Sequence, residues 1–322
     1  MYCFLRIDFF SDPVSGPENF RDTVAANKLI YAMLTHRGRV RRVNEDACAA
    51  APTHGVFVVC DGMGGAAGGE IASHLAAETF LAHLSNAAGN ASGANAGSGA
   101  NEGSANAGSS ARTRSSARME TRLKAAVEAA NEAVYRQARH SPQLAGMGTT
   151  LVGLLHAPLT SAGPEGGRSA NNHTNSRASD PPTLWLAHVG DSRCYLRRRG
   201  RLMLLTTDHS LVEEQVRAGQ ITPQQAAESP MRNLITRAVG SQATVEPEIQ
   251  GYNPLPGDLY LLASDGLNRE LSDEAIEEVL MRVPEYATER SLNAACKALV
   301  NAANECGGGD NVTVVLVALQ PQ

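Results

Sequence analysis

Long hydrophobic runs are missing from this sequence. No stretch approaches the roughly 18 consecutive apolar residues that a membrane-spanning helix needs, so membrane insertion is not expected. The opening MYCFLRIDFF is interrupted by Arg6 and Asp8 and makes a poor signal peptide. A cytoplasmic protein is the expectation. A basic excess is missing too: 28 Lys and Arg stand against 33 Asp and Glu, a formal net charge of −5. A nucleic-acid binder would show a basic stripe, so no nucleic-acid partner is expected. The short basic run Arg197 to Arg201 reads as a solvated turn at a strand end. None of the six cysteines forms a C-x-x-C pair, which argues against a thiolate zinc site and for free thiols in a reducing compartment. The nine histidines show no metal-ligand spacing.

What is present is a chain of 322 residues, 43% of them hydrophobic, enough for one large core or two small ones. Residues 1–28 have no clear period and read as an N-terminal extension to a domain spanning 29–320. Two polar tracts interrupt that domain. Residues near 85–117 are almost entirely Ala, Asn, Gly and Ser, and residues near 158–182 are rich in Gly, Ser, Asn and Pro. Such compositions cannot bury enough apolar surface to offset chain entropy and are expected to be disordered insertions.

Between the tracts lie short strand-like runs: Ile30–Leu34, Gly55–Cys60, Thr150–His156, Leu184–Val189, Cys194–Arg197, Leu202–Leu205, Leu259–Ala263 and Val312–Leu319. Helical spacing joins Ile71, Leu75, Phe80 and Leu84, and then Met119, Leu123, Val127, Ala130 and Val134. Capping boxes are expected at Ser210 with Glu213 and at Thr222 with Gln225, and a capped helix with a hydrophobic staple at Leu271–Ile276. Strand clusters separated by helix pairs predict an α+β layered architecture.

The informative pattern is where aspartates fall. Asp61 follows Val56–Cys60, Asp191 follows Leu184–Gly190, Asp265 follows Leu259–Ser264, and Asp310 precedes Val312–Leu319. Each has glycine close by, which lets backbone approach a ligand. A single such aspartate is an ordinary turn former. Four at the ends of core strands can converge on one spot. Clustered carboxylates repel and raise one another's pKa unless cations neutralise them. Ligation by oxygen alone selects Mg²⁺ or Mn²⁺, so spacing points to a dinuclear hydrolase.

The same residues resemble the metal-dependent (type 2C) serine/threonine protein phosphatase family, in its bacterial form. Six motifs stand in the family's order: Arg41-Arg42-Val43-Asn44-Glu45-Asp46, Asp61-Gly62-Met63-Gly64-Gly65, Gly148-Thr149-Thr150, Gly190-Asp191-Ser192-Arg193, Ser264-Asp265-Gly266-Leu267 and Gly309-Asp310-Asn311-Val312-Thr313. The resemblance covers Leu29 to Leu319 apart from the polar tracts. It implies a central antiparallel β-sandwich flanked by α-helices, a four-layer α-β-β-α arrangement, with a small helical flap at 206–240. It implies two Mn²⁺ or Mg²⁺ ions, with a weaker third. Asp61 would bridge the pair, the Gly62 carbonyl would ligate one ion, and Asp265 and Asp310 would complete the other. Asp46, with Glu45 beside it, would hold metal-bound waters or sit just outside the ligands, and Asp191 would serve the third ion. Arg41 would grip the substrate phosphate, a task suited to paired guanidinium donors. Thr149 and Thr150 are as well explained by support of the core.

The implied activity is hydrolysis of phosphoserine and phosphothreonine in protein substrates by a water bridging two metal ions, opposing a bacterial serine/threonine kinase, by a monomer. Met63 stands where animal members carry a histidine proposed as general acid, which leaves the source of the leaving-group proton open. His74, on the helix that follows, reads as a surface or packing residue. Three other readings compete with it: a catalytically dead binding module of the same fold, a metal phosphodiesterase or small-molecule phosphatase, and a regulator that recruits partners through its polar tracts.

Overall fold

The computed structural model describes residues 29–64, 68–89, 107–157 and 183–320. The N-terminal extension, Gly65 and the 158–182 tract lie outside the described residues. The chain opens with strand β1 (Leu29–His36), then β2 (Asp46–Ala51) and β3 (Val56–Met63), followed by helices α1 (Gly68–Gly89) and α2 (Ala107–His140). Strands β4 (Gly148–Thr149), β5 (Leu151–His156), β6 (Leu184–Val189), β7 (Arg193–Arg198) and β8 (Arg201–Leu204) come next. Two short helices, α3 (Leu211–Arg217) and α4 (Pro223–Glu228), precede β9 (Glu248–Tyr252) and β10 (Leu259–Ala263). Helices α5 (Asp265–Glu270), α6 (Asp273–Met281) and α7 (Glu289–Cys306) lead to β11 (Val312–Leu319).

The strands form two antiparallel sheets. One runs β1-β11-β10-β7-β8 and the other β2-β3-β5-β6-β9, with β4 paired to the end of β3. The strands read as nearly unbroken apolar runs because both faces of each are covered. On β3, Phe57 and Val59 pack between the sheets, while Val56, Val58 and Cys60 pack under α1 and α2. On β11, Val315, Val317 and Leu319 face the other sheet, while Val312, Val314 and Leu316 face α5–α7. The two-residue period of a strand thus sorts one run into two cores, and the layers stack α-β-β-α as expected. Gly153 on β5 makes room for Phe80 of α1: a Cβ there would sit 2.7 Å from its ring.

Several elements depart from their sequence reading. Strands β2 and β9 were not expected: DACAAA has no β-branched residue, and in EIQGY Ile249 and Tyr252 stand among Glu, Gln and Gly, which strands disfavour. The first polar tract is shorter than its composition suggests: α1 continues to Gly89 and α2 begins at Ala107, since Ala and Arg carry little helix penalty. Residues 90–106 lie outside the described residues. Arg197 is not solvated. It is buried, and its guanidinium donates to the carbonyls of Leu280 (3.2 Å) and Val283 (2.6 Å), so only Arg199 and Gly200 form the exposed turn. Ser210 caps α3 through the Glu213 amide without the return bond, whereas Thr222 and Gln225 form the full reciprocal box.

Candidate metal centre

The five predicted aspartates meet at one end of the sandwich, and they arrive from both sheets. Asp46 opens β2 and pairs in register with Asp61 near the end of β3. Asp191 sits in the turn that carries the chain from β6 in one sheet to β7 in the other. Asp265 is the first residue of α5, directly beyond β10, and Asp310 lies just before β11. Antiparallel pairing of β10 with β11 brings these last two to the same edge, with Ala263 opposite Val314. Asp46, Asp191 and Asp265 are buried, and Asp61 and Asp310 are half-buried.

Arg41, on the loop between β1 and β2, reaches Asp310 Oδ2 through Nη2 at 2.8 Å, and nearly half of its side chain stays exposed. Glu45 is placed by its backbone: its amide donates to Asn311 Oδ1 at 2.8 Å, and its carbonyl accepts from the Gly62 amide at 3.1 Å. Gly62 is packed so tightly that a Cβ would lie 2.0 Å from the Gly69 carbonyl oxygen, so only glycine fits beside Asp61. His74 is exposed and bonds the Glu70 carbonyl of its own helix.

Residues not assigned a role from sequence hold the acids in place. Thr150 Oγ1 accepts the Asp61 amide at 2.9 Å and shares a 2.6 Å bond with Ser192 Oγ. Thr149 Oγ1 donates to the Asp61 carbonyl at 2.8 Å. Ser264 Oγ donates to Asp46 Oδ2 at 2.8 Å and accepts the Thr313 amide at 2.9 Å. Asn311 ties the β1–β2 loop by donating to the carbonyls of Arg37 and Val43, each at 3.0 Å. Arg269 bridges two of the acids, pairing with Asp265 and lying 2.7 Å from Asp310 Oδ2. Its spacing from Asp265 on α5, i to i+4, was the one available sequence signal.

The electrostatics match a crowded acidic pocket. Burial, followed by neighbouring acids, pushes Asp61 and Asp265 well above the usual carboxylate range. Burial raises Asp46 to about 7, against bonds from Thr313 and Ser264 that lower it. Asp191 is raised to about 6, first by burial and then by Asp208. One oxygen each of Asp46, Asp191 and Asp265, and one of Glu45, is buried without a hydrogen-bond partner. Buried carboxylate oxygens left unmatched are costly, and several within one acidic cluster fit a hard divalent cation with oxygen ligands.

The molecule is thus a double antiparallel sandwich, flanked by helices, whose strand ends gather acidic side chains. Residues 35–163 match the protein phosphatase 2C family. The serine/threonine protein phosphatase PstP of Mycobacterium tuberculosis is 36% identical over 288 residues, 89% of this chain and 44% of PstP. The serine/threonine phosphatase stp of Listeria welshimeri is 30% identical over 286 residues, 88% of this chain and 93% of stp. A crystal structure of the catalytic domain of PstP in complex with 2 manganese ions superposes with a TM-score of 0.64 at 34% identity, covering 91% of this chain and 99% of that one. This chain belongs to the protein phosphatase 2C family. It spans less than half the length of mycobacterial PstP.

Proposed function

We propose that this chain is a metal-dependent protein phosphatase that hydrolyses phosphoserine and phosphothreonine in protein substrates, opposing a bacterial serine/threonine kinase. The observation that carries the reading is the set of buried, unpartnered carboxylate oxygens of Asp46, Asp191 and Asp265 in one electrostatically coupled cluster with Asp61 and Asp310. In this reading Asp61, the Gly62 carbonyl, Asp265 and Asp310 hold two Mn²⁺ or Mg²⁺ ions, Asp46 with Glu45 supports them, and Asp191 holds a weaker third. Divalent cations bound there supply a water acidified towards about pH 7 and a polarised phosphoryl group.

The chain's own residues do the rest. Arg41, anchored by one donor and half exposed, orients the phosphate with paired donors. Ser264, Thr149 and Thr150 fix the carboxylates so that little reorganisation accompanies reaction. Met63 offers no proton, so the leaving group draws its proton from solvent or another side chain. The catalytic domain is 29–320, and its 206–240 segment, with α3 and α4, forms the flap. The reading includes a monomer in the cytoplasm. No helix among the described residues is long and apolar enough to cross a membrane.

The test is hydrolysis of phosphothreonine and phosphotyrosine peptides with Mn²⁺ and with a chelator. Preferential, Mn²⁺-dependent release of phosphate from phosphothreonine is expected. Turnover that survives full chelation would sink the mechanism.

A further inference from the structure

Apart from the aspartates, the group of metal-ligand type among the described residues whose ligating atoms all lie within 4.8 Å of one another is His188, His209 and Glu248. His188 and Glu248 face each other across β6 and β9, and His209 stands at the root of the 206–240 segment. Both imidazoles are buried and stack, with centroids 4.9 Å apart. One nitrogen of each ring is already committed to backbone. The Gly190 amide donates to His209 Nδ1 at 3.1 Å, so Nδ1 is an acceptor and the ring proton resides on Nε2, which lies 3.1 Å from Glu248 Oε1. His188 Nε2 bonds the Thr207 carbonyl at 3.0 Å. Burial holds His209 down to about 4, which keeps the ring neutral and Nδ1 able to accept. A metal on Nε2 would need the proton moved to the nitrogen that the Gly190 amide already occupies, so the group is better suited to clasping than to ligating.

What it clasps adjoins the acid cluster. His209 holds Gly190 twice: its ring takes the Gly190 amide, and its own amide donates to the Gly190 carbonyl at 3.0 Å. Gly190 has φ +101, and a Cβ there would strike Thr150 at 2.6 Å, so its peptide is gripped on one side by His209 and on the other by the threonine that holds Asp61. The next residue is Asp191, one of whose oxygens is buried without a partner. Next to His209, Asp208 pairs with Arg193, Nη2 to Oδ2 at 2.8 Å. The returning end of the segment is tied as well. The Thr236 amide donates to the His209 carbonyl at 2.8 Å, and Val239 exchanges backbone bonds with Thr149 at 2.8 and 3.0 Å.

We propose that His209 is a positioning residue for Asp191, holding the Gly190 peptide from the root of the 206–240 segment so that the carboxylate keeps its aim into the acid cluster. The proposal rests on the reading above for what Asp191 binds, and on this geometry for how it is aimed.

Asparagine places an acceptor near the position of Nδ1, and glutamine near that of Nε2. His209→Asn should therefore retain the clasp and His209→Gln should lose it, a comparison that holds even if His209→Leu fails to fold. In chelator, exchange of the Gly190 amide with solvent should rise at least about tenfold in the Gln chain and stay near wild type in the Asn chain. In calorimetric Mn²⁺ titrations the weakest binding event should weaken about tenfold in the Gln chain, the size of effect seen when a residue supporting a metal ligand is removed. Asp191→Asn should give the same loss, and combining the two should add nothing. Equal Mn²⁺ uptake by wild type, Asn and Gln chains, or additive losses in the double variant, would overturn the proposal alone. Uptake by no chain would overturn the function reading and this proposal with it. An equivalent of Zn²⁺ bound by wild type and lost in His188→Ala would also overturn it, by showing that the cluster ligates metal.

Discussion

Burial removes Asp61 from water, and Asp46, Asp191 and Asp310 all press on it. That burden separates two effects of one substitution. Asp61→Asn removes an oxygen ligand from the pocket, so Mn²⁺-dependent hydrolysis of a phosphothreonine peptide should fall below detection. The same change removes one repelling charge, so in chelator the variant should unfold at equal or higher urea than wild type, by on the order of 1 kcal/mol. A variant with wild-type turnover would remove Asp61 from the machinery, and one that unfolds at markedly lower urea would assign it a purely structural role. Ser264 illustrates support of the opposite kind, since one hydroxyl serves a buried carboxylate and a buried amide at once.

At the scale of elements, α5 owes its seat to a glycine. A Cβ on Gly266 would lie 2.0 Å from the Asn311 carbonyl oxygen, and backbone cannot yield as a flexible side chain can. Gly266→Ala should push α5 away from the strand that presents Asp310 and cost about 1–3 kcal/mol, read by denaturant unfolding. The 206–240 segment gives a prediction in pH. His209 is depressed from 6.5 to about 4, chiefly by burial and then by His188 and Arg237, with Glu248 opposing. Below pH 6.5 the unfolded chain therefore takes up a proton that the folded chain refuses, and stability contributed by the neutral ring is lost as pH falls towards 4. His209→Asn lacks that titration. The stability advantage of wild type over the variant should shrink between pH 6.5 and 4 in paired urea titrations, and an advantage that grows on acidification would contradict the burial argument.

The whole molecule is two sheets with separate outer cores and one shared inner core, in which Phe57, Leu186, Tyr260 and Val317 are all buried. Asp46 and Asp61 belong to one sheet, while Asp265 and Asp310 flank the other. Cations held by acids from both sheets would therefore join the sheets at that end and relieve the repulsion. Mn²⁺ should raise the thermal midpoint of the wild-type chain, by about 2.7 kcal/mol of added stability at a hundred times the dissociation constant. The gain should be much smaller in Asp61→Asn. An equal gain in both would place the ions elsewhere.

The sequence by itself determined the inner strands and the long amphipathic helices, because a strand covered on both faces must be apolar throughout and its periodicity survives without neighbours. It also marked Asp61, Asp191, Asp265 and Asp310 by their place at the ends of those strands. Only the tertiary structure decided what lacks a local signal. The alanines of β2 became a strand through pairing with β3, Arg197 found buried carbonyls to justify its charge, and the tract near 85–117 proved helical at both edges. Among the partners of the acids, Ser264, Thr150 and Asn311 had the same standing. A hydroxyl or amide becomes a positioning group only when chain segments far apart in sequence close around it, and Ser264 stands 218 residues from the carboxylate it serves.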